Sequence, residues 1–202
     1  MPRPRSLTRT QVAVAALAVI DADGLAGLSM RAVAGRLGLG TMSLYRYVAD
    51  RDELEAMVVD LVLDEIDPVP PQGSARRQLT ELAERVRVVA ARHPSAVPLL
   101  LTHRHRSPAS LRWGEMVLGV LTAAGYGGKR RVHAFRAVLA YIFGAIEIEM
   151  LGSLAGPGTQ ALASLSADDY PLLSQTAAVA RGIAPDEEFR RGFEILLRAL
   201  DL

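Results

Sequence analysis

Cysteine is absent from this 202-residue chain, which excludes disulfides, thiolate zinc sites, iron–sulfur clusters and cysteine nucleophiles together. Charge of one sign is absent as well: 23 Lys and Arg stand against 22 Asp and Glu, for a net +1. The overall balance therefore names neither nucleic acid nor an acidic substrate as a partner, and such a signal has to be local. No long apolar run occurs. Met150–Ala167 is uncharged but holds four Gly or Pro residues, and Ala137–Ile146 is apolar over only ten residues, where spanning a bilayer takes about 20. No transmembrane helix and no membrane partner are expected. The N-terminal MPRPRSLTRT has arginines but no following apolar region with a small-residue cleavage site, so the chain is expected to be untargeted and cytoplasmic. Catalytic signatures are missing too: there is no G-x-S-x-G elbow, no Walker phosphate loop and no H-E-x-x-H, and Ser, Asp and His form no defensible triad. No catalytic residue is assigned and an enzyme is not expected.

What is present is apolar residue at 50%, enough to bury a sizeable core, arranged with helical period almost throughout. The fold class is all-α. Thr8-Arg9-Thr10-Gln11 has the spacing of a capping box, and Val12, Leu17 and Ile20 follow until Gly24. Ser29 can cap a short second helix with Val33, Ala34 and Leu37 inward and Gly38 as its left-handed stop. Thr41 is expected to cap a third helix reaching about Tyr47, and Asp50 with Glu53 opens a fourth. The stretch Pro68–Ser74 cannot continue a helix, so it divides the chain into residues 1–67 and 68–202. In the second part helices are expected at about Ala75–Arg92, a short one broken by Pro98, then Pro108–Ala124, Lys129–Leu151, Leu172–Arg181 and from Asp186 on. Gly152–Ser166 is expected to be a loop.

The second and third helices, joined through Gly38-Leu39-Gly40, have a helix-turn-helix pattern in which Ala34 permits close approach and Leu44 anchors the third helix. Local charge adds to it: residues 1–51 hold seven arginines and three acids, a net of +4. Hydroxyls at Ser29, Thr41, Ser43, Tyr45 and Tyr47 lie at and around two helix N-termini, where phosphates are readily held.

Leu7 to Leu54, and above all LSMRAVAGRLGLGTMSLYRYVADRDEL at Leu28–Leu54, resembles the DNA-binding domain of the TetR family of bacterial transcriptional regulators. His93–Glu149, with Gly125-Tyr126 at a turn and Phe143-Gly144 inside a long helix, is similar to the C-terminal domain of the tetracycline repressors. By matching position, the resemblance implies DNA contacts at Arg31, Thr41, Met42, Ser43, Tyr45, Arg46, Tyr47 and Arg51. Each has a bland alternative: Tyr45 or Tyr47 packing on the first helix, Arg51 solvated, and Met42 packing as readily as meeting a thymine methyl.

The resemblance further implies a homodimer through the helices at about Lys129–Leu151 and Asp186–Leu200, whose apolar stripes are broad enough for a core and an interface. It also implies a small-molecule effector that releases a palindromic double-stranded DNA operator. Large side chains mixed with polar handles form either plain core or a small-molecule site, and the resemblance implies the latter, an effector site at His103, Trp113, Met116, Phe135, Tyr141, Phe143 and Glu147, between helices near Val86–Ala90, Trp113–Leu121 and Phe135–Ile146. No metal site is assigned among His93, His103, His105 and His133: an i, i+2 pair does not share a helix face, and Arg104 and Arg106 repel a cation. No cofactor is expected. The competing reading is a helical small-molecule-binding protein or enzyme whose first three helices are only structural.

Overall fold

A computed structural model describes residues 7–151 and 156–202; Arg3, Arg5 and residues 152–155 of the expected loop lie outside the described residues. Among the described residues there are eleven α-helices and no strand. α1 spans Arg9–Gly27 and starts as its spacing demands: the Gln11 N–H donates to Thr8 Oγ1 (3.2 Å) while Gln11 Oε1 accepts from the Thr8 N–H (2.9 Å). At Gly24 the backbone turns to φ +70°, which interrupts the helix and leaves one further turn to Gly27. By length and composition α1 resembles a membrane-crossing helix, but Val12, Ala16 and Ile20 are buried in the protein core and α1 packs along α4.

α2 (Met30–Arg36) is capped by Ser29, whose Oγ accepts from the Ala32 N–H at 3.1 Å. Gly38 takes φ +67° in the turn that follows. α3 is shorter than its sequence predicts, Thr41–Leu44, because residues 45–47 continue only as turns. Its cap is Gly40 in an extended conformation, so Thr41 is the first helical residue and its hydroxyl caps nothing. α4 (Arg51–Leu63) is capped by Asp50, which accepts from the Glu53 N–H at 2.8 Å.

α5 is Ala75–Arg92. A 3₁₀ turn at Pro94–Ala96 leads into α6 (Val97–His103), where Pro98 sits in the first turn. Pro98 therefore helps to start the helix it was expected to break, since a first-turn residue needs no N–H partner. α7 is Pro108–Ala123, α8 is Gly128–Leu151, α9 is Pro157–Ala163, α10 is Pro171–Ala180 and α11 is Pro185–Ala199. α9 stands where the loop was expected; Pro157 opens it and Ala161, Leu162 and Ala163 carry it.

The chain forms two compact units. The first comprises the chain up to Pro70 together with Arg85–Met116, and the second comprises Pro71–Glu84 with Val117–Leu202. Each unit is thus assembled from two stretches of the chain. In the first unit α6 packs on α4, and α1 packs on the turn Pro94–Ala96. Ion pairs join α4 and the residues after it to the segment 92–112: Asp52 with Arg106 (2.6 Å), Asp64 with Arg112 (3.2 Å) and Glu65 with Arg92 (3.3 Å), while His93 Nε2 lies 2.8 Å from Glu65 in hydrogen-bond contact. In the second unit α11 packs on α8 around the fully buried Phe193 and Leu197.

Candidate nucleic-acid interface

In the first unit the short helix α3 is held from beneath and open above. Leu44 is fully buried, Val48 follows it into the core, and α2, whose Val33 and Ala34 are buried, packs against α3. The residues between these anchors therefore point outward. Met42 is 80% and Tyr45 47% exposed, Arg31, Arg46 and Arg51 are exposed, and Thr41, Ser43 and Tyr47 are half-buried. Four residues make barely one helical turn, so nothing in α3 alone can hold that surface. It is fixed by burial and by its neighbours.

Arg9, at the start of α1, ties the end of this segment down. Its Nη1 donates to the Tyr47 carbonyl (2.8 Å) and its Nη2 to Glu53 Oε1 (2.5 Å). Glu53 also accepts from the Ala49 N–H at 2.6 Å. That backbone bond, and after it the Arg9 guanidinium, hold the Glu53 carboxyl below the ordinary glutamate range. Arg51 donates from Nε to Glu55 (2.7 Å) and from Nη2 to the Leu25 carbonyl (3.4 Å), so its charge is placed and partly offset. Arg46 reaches only the Ser43 carbonyl, from Nε at 3.5 Å, and the rest of its guanidinium faces outward with Met42 and Tyr45. Hydroxyl and guanidinium donors around one exposed helix can bond phosphate oxygens and base edges.

The seven residues expected around an effector fall in different places. His103, Trp113 and Met116 belong to the first unit, and Phe135, Tyr141, Phe143 and Glu147 to the second. His103 is buried with Nε2 at 3.3 Å from Glu55 and Nδ1 at 3.9 Å from Asp52, which makes it part of the α4–α6 contact. Arg106 bonds the other side of Asp52, and this bond holds that carboxyl below the usual aspartate range. Trp113 is buried, Met116 half-buried and Glu147 exposed. Phe135 and Phe143 are half-buried on α8.

Tyr141 lines a cavity of about 350 Å³ between α8 and the start of α11, with Gly144, Ile148, Glu149, Glu188 and Phe189. Its hydroxyl donates to the Phe189 carbonyl at 2.7 Å. A Cβ at Gly192 would collide with the Tyr141 phenol, so the glycine is what lets α11 pass so near to α8. Glu149, like Glu147, reads in the sequence as a polar pocket or interface residue near the end of an apolar helix, whereas Glu188 and Ile183 of this lining were missed. The available signal was small residues at 140, 144 and 192, which mark close helix approach. Sequence reasoning also missed the acids of α4 at 52, 55 and 60, and Asp64 just after it, as partners of the segment 92–112. Among the described residues no group of His, Asp and Glu stands close enough together to hold a metal ion.

Comparison with known proteins gives these arrangements a setting. Residues 67–201 match the family model described as tetracyclin repressor-like, C-terminal domain. The chain is 34% identical to the HTH-type transcriptional repressor DrrR1 of Streptomyces coeruleorubidus over 155 residues, which is 74% of this chain and 56% of that protein. It is 33% identical over 144 residues to an HTH-type transcriptional regulator of Saccharopolyspora erythraea, 71% of this chain and 61% of that one. The matches thus span somewhat under two thirds of these relatives' own length. Among solved structures, ActR of Streptomyces coelicolor, a TetR family protein, in complex with actinorhodin superposes with a TM-score of 0.83 at 27% identity, covering 98% of this chain and 96% of that one. Without ligand the same relative gives a TM-score of 0.84.

Proposed function

The chain belongs to the tetracyclin repressor-like (TetR) family, and from that premise we propose that it is a transcriptional repressor released from a palindromic operator by a small-molecule effector. The observation that carries this reading is α3 itself: a helix too short to serve the core beyond Leu44, presenting Met42, Tyr45 and Arg46 to solvent. A purely structural helix has no use for an exposed methionine, tyrosine and arginine beside the half-buried hydroxyls of Thr41 and Ser43. In the major groove, Arg46 with Met42 and Ser43 reads base edges, while Arg31, Tyr45, Tyr47 and Arg51 hold phosphates. Repression, rather than activation, follows the repressor named among the relatives, and control by a small molecule follows the ligand-bound structure of ActR. Such a regulator acts where the DNA is, in the cytoplasm.

One recognition helix offers too little specificity, so two half-sites about one helical turn apart call for a two-fold partner. α8 and α11 supply the surface, with Val132, Met150 and Ile195 exposed along it. Selection of bound duplexes from a random pool, followed by affinity measurement across salt concentrations, tests the assignment. Arg46→Ala should abolish or change base preference, whereas Arg51→Ala should weaken all sequences alike and lower the salt slope by about one charge. Equal retention of random and selected DNA would sink the reading.

A further inference from the structure

Of Arg31, Arg46 and Arg51, only Arg51 has a carboxylate partner among the described residues. Its guanidinium is gripped along one edge, Nε donating to Glu55 Oε1 at 2.7 Å and Nη2 to the Leu25 carbonyl at 3.4 Å. A guanidinium carries its five donors in one rigid plane, so fixing Nε and Nη2 fixes that plane and leaves Nη1 without a partner among the described residues. The Arg51 side chain is 51% exposed and that of Glu55 only 17%, which makes the acid the anchored member and the arginine the one that reaches solvent. Glu55 is itself held from behind. Its second oxygen, Oε2, lies 3.3 Å from Nε2 of His103, the buried last residue of α6, whose Nδ1 is 3.9 Å from Asp52. Asp52 is occupied by Arg106 at 2.6 Å. A chain of polar contacts therefore runs from the buried imidazole through Glu55 to the exposed guanidinium, all within the first unit.

Helix stability does not account for this carboxylate. An acid four residues after a base is the weaker order of such a pair, an exposed ion pair contributes little, and the first turn of α4 already has Asp52 and Glu53 at its positive end. Beside a phosphate, moreover, a carboxylate repels the ligand. We propose that Glu55 is a positioning residue for DNA binding: backed by His103, it holds the Arg51 guanidinium in one orientation with Nη1 turned toward a backbone phosphate. The affinity gained from a donor that is already ordered exceeds the repulsion that the acid adds. This role rests on the regulator reading and on the phosphate contact assigned there to Arg51.

The test is a double-substitution cycle in the full chain, read on the selected duplex as affinity and as salt dependence. Glu55→Ala leaves the Arg51 charge in place but loose: affinity should fall about two- to tenfold for each half-site, while the salt slope stays at least as large as that of the natural chain, unlike the one-charge drop of Arg51→Ala. In the Arg51→Ala background the same Glu55→Ala change should cost nothing. Arg51→Lys keeps the charge and loses the gripped edge, so it should match Glu55→Ala in affinity and in slope. Glu55→Gln keeps an oxygen for Nε and should recover most of the loss. His103→Ala should give a smaller loss that also vanishes without Arg51. Tighter binding of all duplexes by Glu55→Ala, the outcome of simple charge removal, overturns the proposal. So does an equal loss in the Arg51→Ala background, which marks a structural role, or full affinity in Arg51→Lys, which alters no buried residue. If the natural chain prefers no selected duplex over random DNA, the regulator reading falls and the positioning role with it; selective binding that Glu55→Ala leaves intact removes the positioning role alone.

Discussion

In the N-terminal helices, starts are made by hydrogen bonds: Thr8, Ser29 and Asp50 each accept from a backbone N–H in the first turn of α1, α2 and α4. In the second unit, α9, α10 and α11 begin on Pro157, Pro171 and Pro185, with no side-chain cap. The two devices do different work. A cap fixes the angle at which a helix leaves the preceding residue and contributes about 1 kcal/mol. A first-turn proline presets φ and reduces the freedom of the unfolded chain, but bonds the helix start to nothing. Helices of seven and four residues, α2 and α3, cannot hold an aimed face unaided, so the elements around them are fastened by specific bonds. The fifteen residues of α11 are set instead by packing against Tyr141 and around Phe193.

The largest effect should come from removing Leu44, the buried residue of α3, a helix that has no side-chain cap of its own. Leu44→Ala should cost about 2–5 kcal/mol in the unfolding transition that includes the first unit, measured by urea titration, and should abolish sequence-specific DNA retention. If α3 keeps its function without Leu44, specific bonds rather than burial hold it. Next comes the packing device. Gly192→Ala gains helix propensity of about 1 kcal/mol, yet its Cβ meets the Tyr141 phenol, and overpacking of this kind costs about 1–3 kcal/mol. A net loss of thermal stability is expected, and Tyr141→Phe in the same chain should recover part of it, a non-additivity that only direct contact produces. The smallest effect concerns the start of α4. The folded chain holds the Glu53 carboxyl below its ordinary range, so its ionised form stabilises the fold above that range and the contribution disappears as pH falls through the depressed value. Acid titration followed by circular dichroism should show a shallower loss of stability for Glu53→Gln than for the natural chain. An unchanged slope would mean that Arg9 and Ala49 gain nothing from the charge.

Those same caps explain why the first helices were legible in the sequence. A cap is a relation between residues three apart, so Thr8 with Gln11 and Asp50 with Glu53 announce it directly. Thr41 carries the same residue type but not the role, because Gly40 already adopts the extended conformation of the cap. Pro98 and Pro157 show the complementary ambiguity: a proline marks a break or a beginning, and only the backbone on either side decides which. Periodicity was equally local. It showed that Trp113 lies on an apolar stripe, but not that Trp113 is buried in the first unit, and it gave Tyr141 and Trp113 the same reading although of the two only Tyr141 lines the cavity. Which core a helix joins is decided by partners far along the chain, as with Asp52 and Arg106, and no spacing rule encodes that.

The return of Arg85–Met116 to the first unit sets an order of events during synthesis. When residue 67 has left the ribosome, α1 to α4 have been made, yet the surface of α4 that packs on α6 is uncovered and Asp52, Glu55 and Asp64 lack their partners. The remaining 49 residues to Met116, from 67 to 116, take several seconds at roughly 5–20 residues per second. Until then the nascent chain carries α1–α4 with the apolar and acidic surface of α4 still open to water.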